Sequence, residues 1–283
     1  MGTEALALGL GLDEAMRIAE TCEADVVVSA AEAAPPEAAG VLGLSHVRLS
    51  GGVAVVMAND PSGGLWNRAI GLGLTEPITD ALIGEVVRLY RSAGAPMAKL
   101  QLAPALLPPD WDDICARHRL WADEPWLKLM RRLDQPIGPA GSDLRIDTLP
   151  DELEQSWGHT MLAGFGFPDD DHLRAMFVGR SPGLHRFAAW SGDDLVAGAG
   201  LLVLGDVASF TGAATLPGAR GHGAQSVFTR LRLETARAAG CRWACIETAA
   251  PREGVANPSL HNTLRAGFVP LYERPNWVWR NDQ

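Results

Sequence analysis

The residues best placed to do chemistry are Arg220-Gly221-His222-Gly223-Ala224-Gln225-Ser226. An apolar run from Ala208 to Leu216 ends at Pro217 just before them, and Gly218, Gly221 and Gly223 keep the turn free of bulk. Behind the turn Ala224, Val227, Phe228, Leu231 and Ala238 recur at helical spacing, and Gly240 is placed to end the segment. The order is strand, glycine loop, helix. A helix that begins this way leaves backbone N–H groups without partners, and its dipole favours negative charge beside them, so a phosphate suits the turn. Glycine allows the close backbone approach and the positive φ angles that such an anion-binding nest requires. The competing reading is an ordinary turn ahead of an ordinary helix.

Other chemistry-bearing residues form no such constellation. His159, His172, His185 and His261 lack metal-ligand spacing, so no metal is expected. His222 lies inside the loop, near enough to touch a ligand there or simply solvated. Ser209, Ser226 and Ser259 lack the context of a nucleophile elbow. The cysteines, Cys22, Cys115, Cys241 and Cys245, show neither a paired framework nor zinc spacing, which fits a reduced cytoplasm.

The elements that must carry the loop follow from the rest of the chain. At 283 residues it is long for one compact core and comfortable for two. A composition of 47% hydrophobic and 20% charged residues is that of a folded globular protein. No apolar run approaches the ~20 residues that span a bilayer, so no membrane partner is expected. The leading MGTEALALGLGLDEA lacks the basic flank and cleavage site of a secretory signal. The formal charge of −10, with no basic cluster, speaks against nucleic acid and is compatible with a cationic acceptor such as an amine.

Residues 12–23 read as a short helix, and Asp25 to Ala31, Val47 to Leu49, Val53 to Met57 and Trp66 to Leu74 as strands. Thr79 caps a helix whose face is Leu82, Ile83, Val86, Val87 and Tyr90. A strand Lys99 to Leu102, a helix Asp110 to Arg119 and one or two strands within Trp121 to Leu133 complete the first half. Gln135 to Ser142, with two prolines and two glycines, reads as a linker. The second half repeats the order. It has a strand Leu144 to Leu149, helices Asp151 to Ala163 and Asp170 to Val178, and an antiparallel meander of His185 to Trp190, Leu195 to Leu204 and Val207 to Thr215. The glycine loop and its helix come next, then a strand Arg242 to Thr248, a short helix Pro258 to Ala266 and a closing strand pair, Gly267 to Tyr272 with Trp277 to Arg280. In the first half Thr75-Glu76-Pro77 stands where the glycine loop would be. A carboxylate there repels a phosphate and Pro77 removes a donor.

Arg220 to Gln225 resembles the Q/R-x-x-G-x-G/A signature of the GNAT N-acetyltransferases, which holds the pyrophosphate of coenzyme A; Gln225 stands where the family has Gly or Ala. A second block, Asn257-Pro258-Ser259…Asn262…Arg265-Ala266-Gly267-Phe268, is similar to the family's N-x-x-S-x-x-N-x-x-R-x-G-F, with Asn257 one residue closer than the pattern. The resemblance covers Leu144 to Arg280. The first half looks like the degenerate N-terminal domain of tandem members.

The resemblance implies an α/β (α+β) fold of two GNAT-like domains, each a mixed, mostly antiparallel central sheet flanked by helices. The boundaries would be 1–136 for a degenerate domain, 137–143 for a linker and 144–283 for the domain that binds acetyl-CoA. It also implies a wedge between the strand ending at Thr215 and the strand Arg242 to Thr248. Pantetheine would pair with Ala213, Ala214 and Thr215, and the pyrophosphate would rest on Gly221, Gly223, Ala224, Gln225 and Ser226, with Arg220 at the loop entry. Asn257 and Asn262 fall where the family binds the pantetheine arm; for Asn257 a helix cap is the alternative.

The implied chemistry is direct attack of an amine on the thioester, needing mainly positioning and a polarised carbonyl. Glu247, interrupting the apolar strand WACIETA, is the candidate base; pairing with an arginine is its competing role. The short helix carries Thr263 where many members place a general-acid Tyr, and a Thr hydroxyl is a poor acid. The expected function is N-acetyl transfer from acetyl-CoA, without metal, to a small-molecule or peptide amine, by a monomer or homodimer. The alternatives are a CoA-binding sensor without turnover and a scaffold with an empty wedge.

Overall fold

A computed structural model describes residues 8–281. The segment read for a secretory signal lies partly outside them. Helices α1 (Leu12–Ala33), α2 (Pro36–Leu42), α3 (Asp80–Ser92), α4 (Trp111–His118), α5 (Glu154–Phe165), α6 (Asp171–Phe177), α7 (Ala224–Ala238) and α8 (Pro258–Arg265) flank one mixed sheet of twelve strands. The strands are β1 (Leu44–Leu49), β2 (Gly52–Met57), β3 (Arg68–Ile70), β4 (Met97–Gln101), β5 (Trp121–Arg132), β6 (Arg145–Thr148), β7 (Leu184–Ser191), β8 (Asp194–Leu204), β9 (Val207–Ser209), β10 (Ala213–Thr215), β11 (Trp243–Ala249) and β12 (Val269–Arg280). Their order is β1-β2-β3-β4-β12-β5-β11-β9-β8-β7-β6, with β10 pairing β8.

The expected pair of separate sheets is corrected by this order. β5, which the sequence assigns to the first half, pairs β11 and β12; β12, from the second half, pairs β4 and β5. Each half lends its last strand to the other, and the sheet is continuous across the linker. Two parallel contacts, β3 with β4 and β9 with β11, are each bridged by a long helix, α3 and α7. On that face α3 and α4 pack on Ala98, Leu100 and Trp279, while α7 and α8 pack on Leu129, Leu201, Ala244 and Phe210. α1 covers Met130, Trp243, Cys245 and Leu271 on the opposite face.

Other differences have local causes. The expected strand Asp25 to Ala31 is the second half of α1: Ala15, Met16, Ala19, Cys22, Ala24 and Val28 are all buried, and that tertiary stripe overrides the β preference of the Val run. The strand read as Val207 to Thr215 breaks into β9 and β10. The closing pair is one strand, β12, with register shifts between Pro270 and Tyr272 and between Arg274 and Asn276. The strand read over Trp66 to Leu74 shrinks to Arg68–Ile70. Thr79 does cap α3, its hydroxyl accepting from the Leu82 N–H at 3.2 Å. No described helix is long and apolar enough to cross a membrane.

Candidate cofactor and active site

The break between β9 and β10 is what makes a site. The Phe210 N–H donates to the Cys245 carbonyl at 2.9 Å, so up to Phe210 the even-numbered peptides face β11. Past it the Gly200 N–H donates to the Gly212 carbonyl and the Leu216 N–H to the Val196 carbonyl, both at 2.9 Å, so the even-numbered peptides now face β8. One extra residue has reversed the phase of the strand. Ala213 and Thr215 therefore turn their peptide groups away from β8, toward β11. β11 pairs with β9 only over Trp243 to Cys245, and from Ile246 to Ala249 its partner is β5 on the other side. Between β10 and the end of β11 lies a wedge edged by backbone donors and acceptors, Glu247's peptide among them. The equivalent pair in the first half stays closed, with Arg68, Ala69 and Ile70 in register with Lys99, Leu100 and Gln101.

The glycine loop stands at the mouth of the wedge. Gly221 and Gly223 sit at φ of +87° and +80°, and Gly223 is the N-cap of α7 without any side-chain capping bond. The N–H groups of Gly221, His222, Gly223, Ala224 and Gln225 find no acceptor among the described residues, while the Ser226 N–H turns back to the Gly223 carbonyl at 3.1 Å. Arg220 donates from Nε to the Thr215 carbonyl at 3.2 Å, and Gln225 from Nε2 to the Thr215 hydroxyl at 2.9 Å. Gln225 thus ties the loop to the end of β10. In the first half the Gly73, Leu74 and Thr75 N–H groups, which follow β3, all go to the Ser50 carbonyl, and Pro77 ahead of α3 has no N–H to offer.

The linker runs beside the loop. Ser142 donates its hydroxyl to the His222 carbonyl at 2.5 Å, and the His222 Nδ1 lies 3.0 Å from an Asp143 carboxylate oxygen. A Cβ on Gly223 would collide with the Gly141 carbonyl oxygen. Ile137 to Ala140 close a cleft of about 70 Å³ against Ser226, Thr229 and Arg230 of α7 and Asn262 and Arg265 of α8. A larger cavity, about 490 Å³ between the ends of β5 and α7, lies at the far end of that helix. It shares no residue with the loop or the wedge.

The α8 candidates separate. Asn257 is a helix cap, accepting from the Leu260 N–H at 3.0 Å and donating to the Ala249 carbonyl at 2.9 Å, which pins the end of β11. Asn262 faces the cleft beside Ser226. Thr263 is 5% exposed and donates its hydroxyl to the Ser259 carbonyl at 2.8 Å, so its proton is committed inside the helix.

Glu247 belongs to a network the sequence did not reveal. Its carboxylate meets Arg68 at 3.1 Å, Arg274 at 2.6 Å and Lys128 at 3.4 Å. Glu23 of α1 pairs with the same three cations, and Glu20 holds Arg274 at 2.9 Å with both side chains fully buried. Burial, and next the Glu23 carboxylate, push the Glu247 carboxyl above the usual range against the pull of those cations. Burial acts on Glu23 too, but Arg274, Lys128 and Arg68 outweigh it and hold that carboxyl well below. Five elements contribute, α1, β3, β5, β11 and β12, so spacing in the sequence carried no sign of it. An unpaired acid within an apolar strand, as at Glu247, was the available hint. Among the described residues no His, Cys, Asp and Glu group could hold a metal ion.

Neither a family model nor a curated protein sequence matches the chain. Its structure does resemble solved ones. It is similar to a GCN5-related N-acetyltransferase from Sphaerobacter thermophilus (13% identity, 81% of this chain and 80% of that one, TM-score 0.60) and to one from Kribbella flavida (17%, 88% and 95%, 0.56). A tandem GNAT protein from the clavulanic acid biosynthesis pathway aligns over 99% of this chain and 96% of its own at 16% identity and a TM-score of 0.54. At these identities the likeness is one of architecture: the chain has the GNAT acetyltransferase fold.

Proposed function

We propose that the protein transfers an acetyl group from acetyl-CoA to the nitrogen of a small-molecule or peptide amine. The observation that carries this is the wedge between β10 and β11 leading to the unpaired N–H groups of Gly221 to Gln225. A pantetheine arm finds amide partners at Ala213 and Thr215, the Ala214 peptide being held by β8, and a diphosphate finds a helix N-terminus with its donors free. Asn262 and the Ser226 hydroxyl flank the arm where it leaves the loop.

In the reaction the amine nitrogen forms a bond to the thioester carbon, the C–S bond breaks, the thiolate leaves, and the nitrogen releases one proton to solvent as the amide forms. The acceptor must first be neutral. Glu247 is our candidate for taking its proton, since its carboxyl is pushed upward toward the range in which a carboxylate is a useful base. Thr263 has no free proton to give, so the thiolate takes its proton from solvent.

The first half, in this reading, is a degenerate GNAT unit, residues 1–136, joined by 137–143 to the catalytic unit 144–283. Its α3 is capped by its own Thr79, its β3–β4 pair is closed, and it supplies β5 and the arginine Arg68 in place of a second cofactor site. Calorimetry with acetyl-CoA, followed by thiol release over a panel of amines, tests the assignment. Micromolar binding with turnover on at least one amine is expected. Absence of binding at high micromolar would leave only a scaffold. The engaged Thr263 hydroxyl favours one other reading, a CoA sensor, for which tight binding without turnover on any amine would be the signature.

A further inference from the structure

Arg232 lies eight residues into α7, about 12 Å along the axis from Ala224. Its side chain is buried, with the residue 3% exposed. Nε donates to the Phe228 carbonyl of its own helix at 3.3 Å, and Nη1 reaches the Gly200 and Thr211 carbonyls at 3.5 and 3.4 Å. The guanidinium also lies 4.2 Å from the centre of the Phe210 ring. These are long contacts to neutral groups for a head with five donors. Burial is the one influence on its pKa, bringing it down to about 9, so the group keeps its charge at neutral pH with no carboxylate acting on it. Arg274, equally buried, is held by Glu20, Glu23 and Glu247. Buried charges are ordinarily paired, and this one is not.

Its place in the fold gives the missing anion an address. Phe210 makes the last backbone bond to β11, and Thr211 is the first residue beyond it, so Arg232 reaches the apex of the wedge from the α7 side. An arm that starts on the loop and runs along β10 toward β9 brings its thioester end to this point.

We propose that the wedge accepts donors whose acyl chain ends in a carboxylate, a dicarboxylic acyl thioester, with Arg232 binding that terminus. This rests on the acyltransferase reading and extends its donor range beyond acetyl. The transfer is the same: nitrogen bonds to the thioester carbon, sulfur leaves, and the thiolate is protonated while the distal carboxylate stays paired with the guanidinium.

Two unreactive thioethers of CoA, bearing a 3-carboxypropyl or a butyl arm, differ in that charge at nearly equal length. Calorimetry on the full chain should show the carboxylated analogue binding at least tenfold more tightly than the butyl one. In Arg232→Met the ratio should fall to about one while affinity for CoA itself changes less than threefold. Arg232→Lys, which keeps the charge, should retain part of the preference if the Met variant does not fold. Equal affinities in the unmodified protein, or a preference that survives Arg232→Met, would overturn the proposal. If CoA and both thioethers fail to bind, the acyltransferase reading itself has failed and this extension falls with it.

Discussion

Gly223 answers two demands at once. It holds φ at +80°, and its missing Cβ leaves room for the Gly141 carbonyl of the linker. Gly223→Ala therefore strains the backbone and pushes the linker off the loop. We expect it to lower stability by about 1–3 kcal/mol and to weaken acetyl-CoA binding at least tenfold. Urea unfolding and calorimetry read the two effects separately, and unchanged affinity would refute the loop assignment. At Glu247 the carboxylate is surrounded by Arg68, Lys128 and Arg274, so Glu247→Gln leaves those cations less compensated as well as removing a base. Turnover should fall more than tenfold with CoA affinity within about twofold. The sign of the pH effect follows from the raised carboxyl: in the unmodified protein the rate should decline as pH falls through that raised pKa, because the base becomes protonated. In the Gln variant that limb is replaced by the ionisation of the acceptor amine, at higher pH. An identical pH–rate profile in both proteins would place the base elsewhere.

The wedge is a property of elements. β9 and β10 would be one strand but for the extra residue at 210–212, and that residue reverses which peptides face β11. Ala213 and Glu247 thus carry N–H groups that face open space in the free protein, whereas Ala214, in register with Gly198, lies in the β8–β10 ladder. In hydrogen exchange, Ala213 and Glu247 should exchange quickly without ligand and slow at least tenfold with CoA, while Ala214 changes little. Equal protection of all three in both states would mean that the arm does not lie along β10. The sequence showed the glycine loop because its signal is local, small residues followed by a helical stripe. The bulge left no such trace: Thr211 and Gly212 read as a continuation of the strand, and their conformation depends on where β8 and β11 lie.

At the scale of the molecule, the exchange of β5 and β12 makes the halves interdependent. A chain beginning at residue 144 keeps the loop and the wedge but loses β5, which pairs β11 over seven residues, Trp243 to Ala249. It also loses Glu20 and Glu23, the carboxylates that pair Arg274 from α1. Removing one side of a buried ion pair costs about 3–5 kcal/mol, on top of the exposed strand edge. We expect residues 144–283 alone to be unfolded or aggregated by circular dichroism and gel filtration, and co-expression with residues 1–136 to restore a soluble complex. A monomeric, folded 144–283 fragment would show that the halves are autonomous.

The sequence alone determined what is encoded over short distances: the glycine loop and its helix, the cap at Thr79, most of the strands, and the shared order of the two halves. The tertiary structure decided the rest. It extended α1 through a valine run, split the strand at 210–212, committed Asn257 to capping and the Thr263 hydroxyl to its own helix, and gathered Glu20, Glu23, Arg68, Lys128, Glu247 and Arg274 from five elements. The physical reason is one of range. Helix periodicity and turn chemistry act within a few residues, but burial, ion pairing and strand exchange depend on partners up to 254 residues away, as for Glu20 and Arg274, and only the folded chain brings these together.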